Sequence, residues 1–502
     1  MRNIYGVGPG FLACLKSTLL IALVCPEALA DDLSVTLATM ARVGTVDERF
    51  QSYNVEMIEV TGGRFWKPYG PITSDVHSDL YEYRSPIDLT NPRLQRLAAA
   101  LAPAYMRVSG TWANATYFAD SASAPSAPPS GFNGILSQQQ WRGVVNFSQG
   151  VGAQIVTSFA ISPGTRNATG VWVPDQARRF LTYTRSVGGT IAAAEFMNEP
   201  NLAATGGAPA DYDAAGYGRD FKVFLSFVKE NFPEIIVLGP GAVGETASAS
   251  ELLVAAGPGG VDAFSYHHYG TRSERCSGTS TPEAALSEDW LSRTDQAIDF
   301  YRTLRDQFEP GKPIWLTETA DAACGGNRWA ASFLDTFRYL DQLGRLARAG
   351  VQVVMHNTLA ASDYGLLDEK TLAPRPNYWA ALLWRRLMGS TVLDSGMPIQ
   401  TGFHVYAHCQ RGTPGGVTLL VINTNRDAPR SLTLPYASER FTLDAAGLRD
   451  KAVRLNGTTL ALGAGDELPP IVGAPTTANT VTFNPATITF LAVPAAGNNA
   501  CR

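Results

Sequence analysis

Between residues 53 and 357, short β-branched and apolar runs alternate with stretches of helical periodicity. The runs lie at 53–60, 105–111, 154–159, 192–200, 234–240, 261–269, 313–319 and 351–357. Amphipathic segments at 91–102, 211–231, 288–307 and 328–349 separate some of them and are long enough to be crossover helices. This alternation is the signature of βα units around a parallel sheet, and eight runs predict a (β/α)8 barrel. An open doubly wound sheet competes, but no G-x-G-x-x-G follows the first run and no G-x-x-x-x-G-K loop is present.

Beyond a helical stretch at 378–388 the texture changes. Short alternating runs at 405–409, 416–423, 431–435, 440–443, 452–455, 458–462 and 480–493 are separated by Gly, Asn, Asp and Pro, which reads as an antiparallel β-sandwich. One more strand, 33–37, precedes the barrel and is placed to complete that sandwich. The expected organisation is a signal segment at 1–30, an N-terminal strand at 31–45 joining the sandwich, the barrel at 46–385 and the sandwich at 386–502. The Pro/Ser-rich segment 121–131 reads as a loop after the second barrel strand.

The N-terminus sets the expected compartment. Arg2 and Lys16 precede the apolar run 19–24, and Ala28-Leu29-Ala30 supplies a small-residue cleavage pattern. That apolar core is far shorter than the roughly 20 residues of a spanning helix. A secreted or periplasmic protein is expected, free of the membrane once the signal is removed. With 45% hydrophobic and 17% charged residues the chain is neither disordered nor fibrous. Its net charge of -5, with seven Lys in the chain, argues against nucleic acid as a partner.

Cys14 and Cys25 fall within the signal, leaving Cys276, Cys324, Cys409 and Cys501 as an even set without C-x-x-C metal spacing. Three disulfide connectivities remain open, and pairing Cys276 with Cys324 and Cys409 with Cys501 is favoured. The second bridge would close a loop of about 90 residues, worth roughly 4 to 5 kcal/mol in the chain-entropy view.

Barrel active sites collect at the C-terminal ends of the strands, so acids ending those runs are the first candidates for chemistry. Glu199 ends the fourth run in Asn198-Glu199-Pro200, and Glu318 ends the seventh in Thr317-Glu318-Thr319. Carboxylates on strands four and seven converge across the barrel mouth, the arrangement a retaining glycosidase uses. Glu318 is assigned as nucleophile and Glu199 as acid/base, with the proton on Glu199 favoured by burial and by the neighbouring charge. Asn198 is placed to hydrogen-bond the sugar 2-hydroxyl.

Further segments carry a family resemblance. Asp88-Leu89-Thr90-Asn91-Pro92 followed by Ala102-Pro103-Ala104-Tyr105-Met106-Arg107-Val108-Ser109-Gly110-Thr111 looks like the TNPKL…LSPAYLRFGGT segment of glycoside hydrolase family 79. Tyr266-His267-His268-Tyr269, Trp315-Leu316-Thr317-Glu318-Thr319, Asn377-Tyr378-Trp379 and the Cys409 and Cys501 pair are also similar to that family, which holds heparanase and bacterial β-glucuronidases. The resemblance implies that Tyr269 hydrogen-bonds the nucleophile and that His267 lines the same pocket. It also implies that Gly325, Gly326 and Tyr364 hold a uronate carboxylate through neutral donors. The chain departs by one extra residue between Glu318 and the Gly pair, with Cys324 where an aromatic residue or Asn is usual. Glu56 from the first strand and His356 from the eighth are further candidates for sugar hydroxyls, and Trp112 and Trp329 for stacking on sugar faces.

The expected function is a retaining, exo-acting β-glucuronidase that needs no cofactor. Its partner would be a glucuronic-acid-containing oligosaccharide, a glycosaminoglycan or a glucuronide. The pair His267-His268 is not expected to bind metal, because no third ligand follows at a suitable spacing. Exo cleavage is favoured by the low Lys content, the negative charge and the long insert 112–140, which would wall off one side of the sugar. A heparanase-like endo-β-glucuronidase is the alternative, with Arg178, Arg179, Arg272 and Arg275 as a basic patch, and a non-catalytic carbohydrate-binding protein is a more remote one.

Overall fold

The computed structural model describes residues 33–70 and 80–502; the expected signal segment lies outside them. Eight parallel strands close into a barrel: β1 Gln51–Glu56, β2 Ala104–Ser109, β3 Ala153–Thr157, β4 Ile191–Glu195, β5 Ile236–Val243, β6 Ala263–Arg272, β7 Ile314–Ala323 and β8 Val353–His356. They pair in sequence order, and β8 returns to β1. The outer helices are α1 Pro92–Ala99, α2 Gln138–Gly150, α3 Asp175–Ser186, α4 Ala214–Asn231, α5 Ala247–Ala256, α6 Arg293–Phe308, α7 Phe333–Arg348 and α8 Pro376–Leu387. Several start at side-chain caps: Asn91 accepts from the Arg93 and Leu94 amides, Ser137 forms a capping box with Gln140, and Asp213 accepts from Gly216.

Alternation along the strands sorts their side chains. Met106, Val108, Ile155, Phe264, Leu316 and Val354 face the helices. Tyr105, Val156, Ala193, Leu238, Ala263, Trp315, Val353 and Met355 fill the lower barrel as a separate apolar plug. Two residues further along, the same inward rows carry Arg107, Glu195, Ser265 and Thr317, all buried. The interior therefore changes from apolar to charged towards the C-terminal ends, where the site lies.

Several of the expected runs differ in extent; the fourth, expected to 200, ends as a strand at Glu195, and the fifth runs on to Val243. The first ends at Glu56, because Met57–Thr61 turns into a short helix whose capping box joins Glu56 and Glu59. A short apolar run does not separate strand from helix by periodicity, which is why 57–60 read as strand. The sixth and seventh are longer than expected: β6 and β7 stay paired out to Arg272 and Ala323, forming a two-stranded ribbon over the barrel mouth. Its tip is closed by a disulfide between Cys276 and Cys324.

The C-terminal strands form a large antiparallel sheet built on Met388–Leu393, Phe403–Gln410, Val417–Asn423, Thr487–Val493 and Ser438–Asp444. Arg42–Thr45 joins one edge beside Met388–Leu393. The facing sheet contains Leu33–Ser34, Arg430–Leu434 and Asn479–Phe483, with Leu33–Ser34 parallel to Arg430–Leu434. Val405, Leu419, Leu432, Val481 and Leu491 pack between the sheets, while Tyr406, Leu420, Phe441 and Phe490 belong to the core shared with the barrel helices. A disulfide from Cys409 to Cys501 ties the C-terminus to the large sheet. Segment 121–131 is largely exposed coil. Among the described residues no helix is long and apolar enough to cross a membrane.

Candidate active site

Glu318 reaches the barrel mouth through an irregularity in β7. Leu316 pairs with Tyr266 but Glu318 pairs with His267, so Thr317 is an extra residue opposite the β6 ladder. The bulge lets successive side chains work inside the barrel. Thr317 Oγ1 donates to Glu195 at 2.7 Å, while Glu318 receives the Tyr269 hydroxyl on Oε1 at 2.5 Å and Arg107 Nη1 on Oε2 at 2.9 Å. Glu199 is presented differently, on the turn after β4 with φ 46° and ψ 63°. A non-glycine residue in this left-handed region is held by its surroundings. Here the Asn198 N–H donates to Asn114 Oδ1 and its C=O accepts from Asn114 Nδ2, both at 2.9 Å.

His267 links the two acids. Its Nδ1 lies 3.1 Å from Glu199 Oε1 and 3.7 Å from Glu318 Oε2, and its Nε2 lies 3.3 Å from Arg107 Nη2. A guanidinium only donates, so Nε2 accepts from it and Nδ1 carries the proton towards Glu199. Arg107 is fully buried and also bonds Glu195 Oε2 and Asn198 Oδ1, each at 2.8 Å through Nη2. The Asn198 Nδ2 group is left without a protein acceptor among the described residues. Burial and the adjacent Glu318 charge raise the Glu199 pKa above the ordinary carboxylate range, although His267 and Arg107 oppose them. At Glu195 the cost of burial is outweighed by the Arg107 charge and by hydrogen bonds from Thr317 and Arg107, which hold it below that range.

The two acids open into a cavity of about 1100 Å³ also lined by Glu56, Trp66, Tyr81, Trp112, Tyr269, Arg272, Cys324, Asn357 and Tyr364. Asn357 Nδ2 donates to the hydroxyls of Tyr269 and Tyr364 at 3.1 and 3.2 Å. Burial and the nearby acids raise the pKa of Tyr364 well above an ordinary phenol, so its hydroxyl stays protonated. Gly325 and Gly326 are buried at the turn after β7, and neither amide has a protein acceptor among the described residues. Glu56 is buried, and among the described residues its Oε2 has no hydrogen-bond partner. Burial, then Glu318, raises its pKa well above normal.

Other candidates are placed elsewhere. His356 lies beneath the floor, with Nε2 2.8 Å from the Tyr364 carbonyl, and burial pushes its pKa down to about 3. It is a neutral support for Tyr364, and its side chain does not line the cavity. Trp329 packs in the main core, whereas Trp112 lines the cavity beside Trp66 and Tyr81, with ring centroids 6.4 and 6.2 Å away. His268 faces Glu245 at 3.6 Å. The expected basic patch is not assembled: Arg178 bonds Asn231, Arg179 pairs with Asp120, and Arg275 is buried in the turn after β6, leaving Arg272 at the rim.

Arg107, Glu195, Asn114, Asn357, Trp66 and Tyr81 were missed from sequence. For Arg107 and Glu195 the available signal was a charge inside an otherwise apolar strand. One ligand atom from each of Glu199, His267 and Glu318 lies within 4.8 Å of the others, a set able to hold a cation. The Arg107 guanidinium already contacts both Glu318 and His267, so positive charge is supplied there by the protein itself.

The model of the glycosyl hydrolase family 79 N-terminal domain matches residues 84–344, more than half of the chain. The chain belongs to glycoside hydrolase family 79. As a glycoside hydrolase of this family it is similar to heparanase-like protein 1 of Arabidopsis thaliana, with 28% identity over 444 residues, 84% of this chain and 79% of that protein. It is 31% identical to heparanase of Rattus norvegicus over 314 residues, which span 58% of this chain and 57% of the rat protein. Among solved structures, a 4-O-α-L-rhamnosyl-β-D-glucuronidase from Fusarium oxysporum 12S shares the fold. The TM-score is 0.67 at 14% identity, covering 92% of this chain and 100% of that one.

Proposed function

We propose that this family 79 enzyme is a retaining, exo-acting β-glucuronidase that releases terminal β-linked glucuronic acid. The observation that carries the retaining part is the approach of the two acids: Glu199 and Glu318 offer carboxylate oxygens within 4.8 Å of each other. Retaining enzymes hold their carboxyl groups about 5 to 5.5 Å apart, whereas inverting enzymes need about 6.5 to 9.5 Å to admit a water.

In the first step a Glu318 oxygen attacks the anomeric carbon as the glycosidic C–O bond breaks and the Glu199 proton passes to the leaving oxygen. Tyr269 and Arg107 each hydrogen-bond one oxygen of Glu318, so the attacking lone pair is aimed before substrate arrives. Glu199, now ionised, takes a proton from water, and that water's oxygen displaces Glu318 from the anomeric carbon. The product keeps the β configuration. Asn198 Nδ2 is available to the 2-hydroxyl, a contact that strengthens as oxocarbenium character develops.

Uronate preference is supported by the Gly325 and Gly326 amides and the Tyr364 hydroxyl, neutral donors that have no protein acceptor among the described residues. Exo action is supported by the aromatic wall of Phe65, Trp66, Tyr81 and Trp112, with ring centroids 4.6 to 6.4 Å apart, beside the loops that follow β1 and β2. Export to the periplasm or medium is proposed on the N-terminal apolar run and the two disulfides. Size analysis of products from heparan sulfate, run beside an aryl β-glucuronide, tests the reading. Turnover of the aryl glucuronide with no mid-chain cuts is expected; mid-chain cuts without free glucuronate would favour the heparanase-like endo-β-glucuronidase alternative.

A further inference from the structure

The carbonyls of the 324–326 turn are all held by donors from Ser273, Arg275, Ser362 and Asp363, residues that do not line the cavity. Cys324 O accepts from Arg275 Nη1 at 2.9 Å and Ser273 Oγ at 3.0 Å. Gly325 O accepts from the Asp363 amide at 3.1 Å and Ser362 Oγ at 3.2 Å. Gly326 O accepts from Arg275 Nη1 at 3.0 Å. In a trans peptide the C=O of one residue and the N–H of the next point in opposite directions. Fixing the carbonyls of Cys324 and Gly325 therefore turns the amides of Gly325 and Gly326 the other way.

Arg275 is itself firmly seated. It is 4% exposed, its Nη2 pairs with the Asp363 carboxylate, and its guanidinium lies 3.7 Å over the Tyr69 ring. The next residue, Cys276, is bridged to Cys324, so one side chain and one covalent bond grip the same turn. The fit is close: a Cβ at Gly325, where φ is +81°, would meet Arg275 Nη1 at 2.8 Å. The guanidinium also polarises the Cys324–Gly325 peptide unit, whose N–H is the Gly325 amide; the other carbonyl it holds, that of Gly326, belongs to the peptide whose amide, Asn327 N–H, donates to Asp321.

We infer that Arg275, seated by Asp363 and Tyr69 and tethered through the Cys276–Cys324 bridge, is a positioning residue that sets the preference of this site for a uronate over a neutral hexoside. The inference rests on the uronate reading above and extends it to residues that do not touch the sugar.

The test compares wild type with Arg275→Lys, with Arg275→Met/Asp363→Asn, which leaves no unpaired buried charge, and with Cys276→Ser/Cys324→Ser. Inhibition constants are measured for a uronate-bearing iminosugar and its neutral hydroxymethyl counterpart, together with kcat and KM on an aryl β-glucuronide. Losing an ordered donor to a charged group corresponds to about a 10- to 100-fold loss. The uronate inhibitor should weaken and KM rise by that factor in Arg275→Met/Asp363→Asn, with kcat and the neutral inhibitor within about twofold of wild type. Arg275→Lys should recover part of the loss, and the cysteine pair should move the same way.

Equal weakening of both inhibitors, or no change in either, would overturn the inference. If the Arg275 double variant does not fold, the cysteine variant and reduced wild type carry the same comparison. Wild type that binds the neutral inhibitor better than the uronate overturns the uronate reading itself, a different failure from loss of the Arg275 effect.

Discussion

Glu199 depends on its neighbours for its proton as well as its position. Burial and Glu318 raise its pKa and keep the acid form present above the ordinary carboxylate range. The alkaline limb of kcat/KM should therefore lie above that range, activity falling as pH rises through the raised value, and a pH–rate profile checks it. Replacing Glu318 by Gln removes one of the raising charges, so the Glu199 carboxyl should titrate at lower pH in E318Q, read by carbon NMR. Glu199→Gln should cost about 10²- to 10⁴-fold in kcat on substrates with poor leaving groups, and less on activated aryl glucuronides that need little protonation. Both acids were legible because each closes an apolar run in the sequence, although Glu199 lies on the turn after β4 and Glu318 within β7. Arg107 was not: strand alternation places it inward, but only the assembled barrel shows that Glu195, Glu318, Asn198 and His267 converge on it. Removing it strands buried carboxylates, so Arg107→Met should lose activity and about 3 to 5 kcal/mol of stability in urea unfolding.

Among the elements, irregularities aim the chemistry. The Thr317 bulge brings Glu318 inward, and the β6–β7 ribbon carries the Cys324–Gly326 turn beyond the barrel rim. Neither was readable from pattern. A bulge changes pairing without changing composition, and the Ala320-Asp321-Ala322-Ala323 continuation of β7 has no β-branched or alternating signature. The eight barrel strands were legible because inward and outward rows are both largely apolar over their first turns, giving continuous runs of the right length. At the end of β2, Gly110 has φ +91°, and a Cβ there would fall 1.5 Å from Glu56 Oε2. Gly110→Ala must displace a buried carboxylate at the cavity wall. It should lower stability by about 1 to 3 kcal/mol and raise KM, measured by thermal unfolding and steady-state kinetics.

Across the whole molecule, the barrel and sandwich are joined through a charged cluster inside their shared core. On Phe403–Gln410, Val405 and Ala407 face the smaller sheet, while His404 and Tyr406 face α7. His404 bridges Asp341 at 2.6 Å and Glu288 at 2.9 Å, and Arg345 bonds both acids. The sandwich was recognisable from its short alternating runs, but alternation alone did not show that its second face is buried and not solvated. Burial opposes charging of His404, but Asp341 and Glu288 outweigh it and push its pKa up to about 9. An unfolded histidine titrates near about 6.5. The stabilisation is thus complete below that value and is lost as pH rises through about 9. The difference in Tm between wild type and His404→Asn should be largest at mildly acidic pH and shrink towards pH 9.5, by calorimetry across that range. For the enzyme as a whole, the most direct test is the anomeric form of the first product from an aryl β-D-glucuronide, followed by proton NMR before mutarotation. The geometry of Glu199 and Glu318 predicts β-glucuronic acid appearing first and the α form only later; α-glucuronic acid appearing first would contradict it.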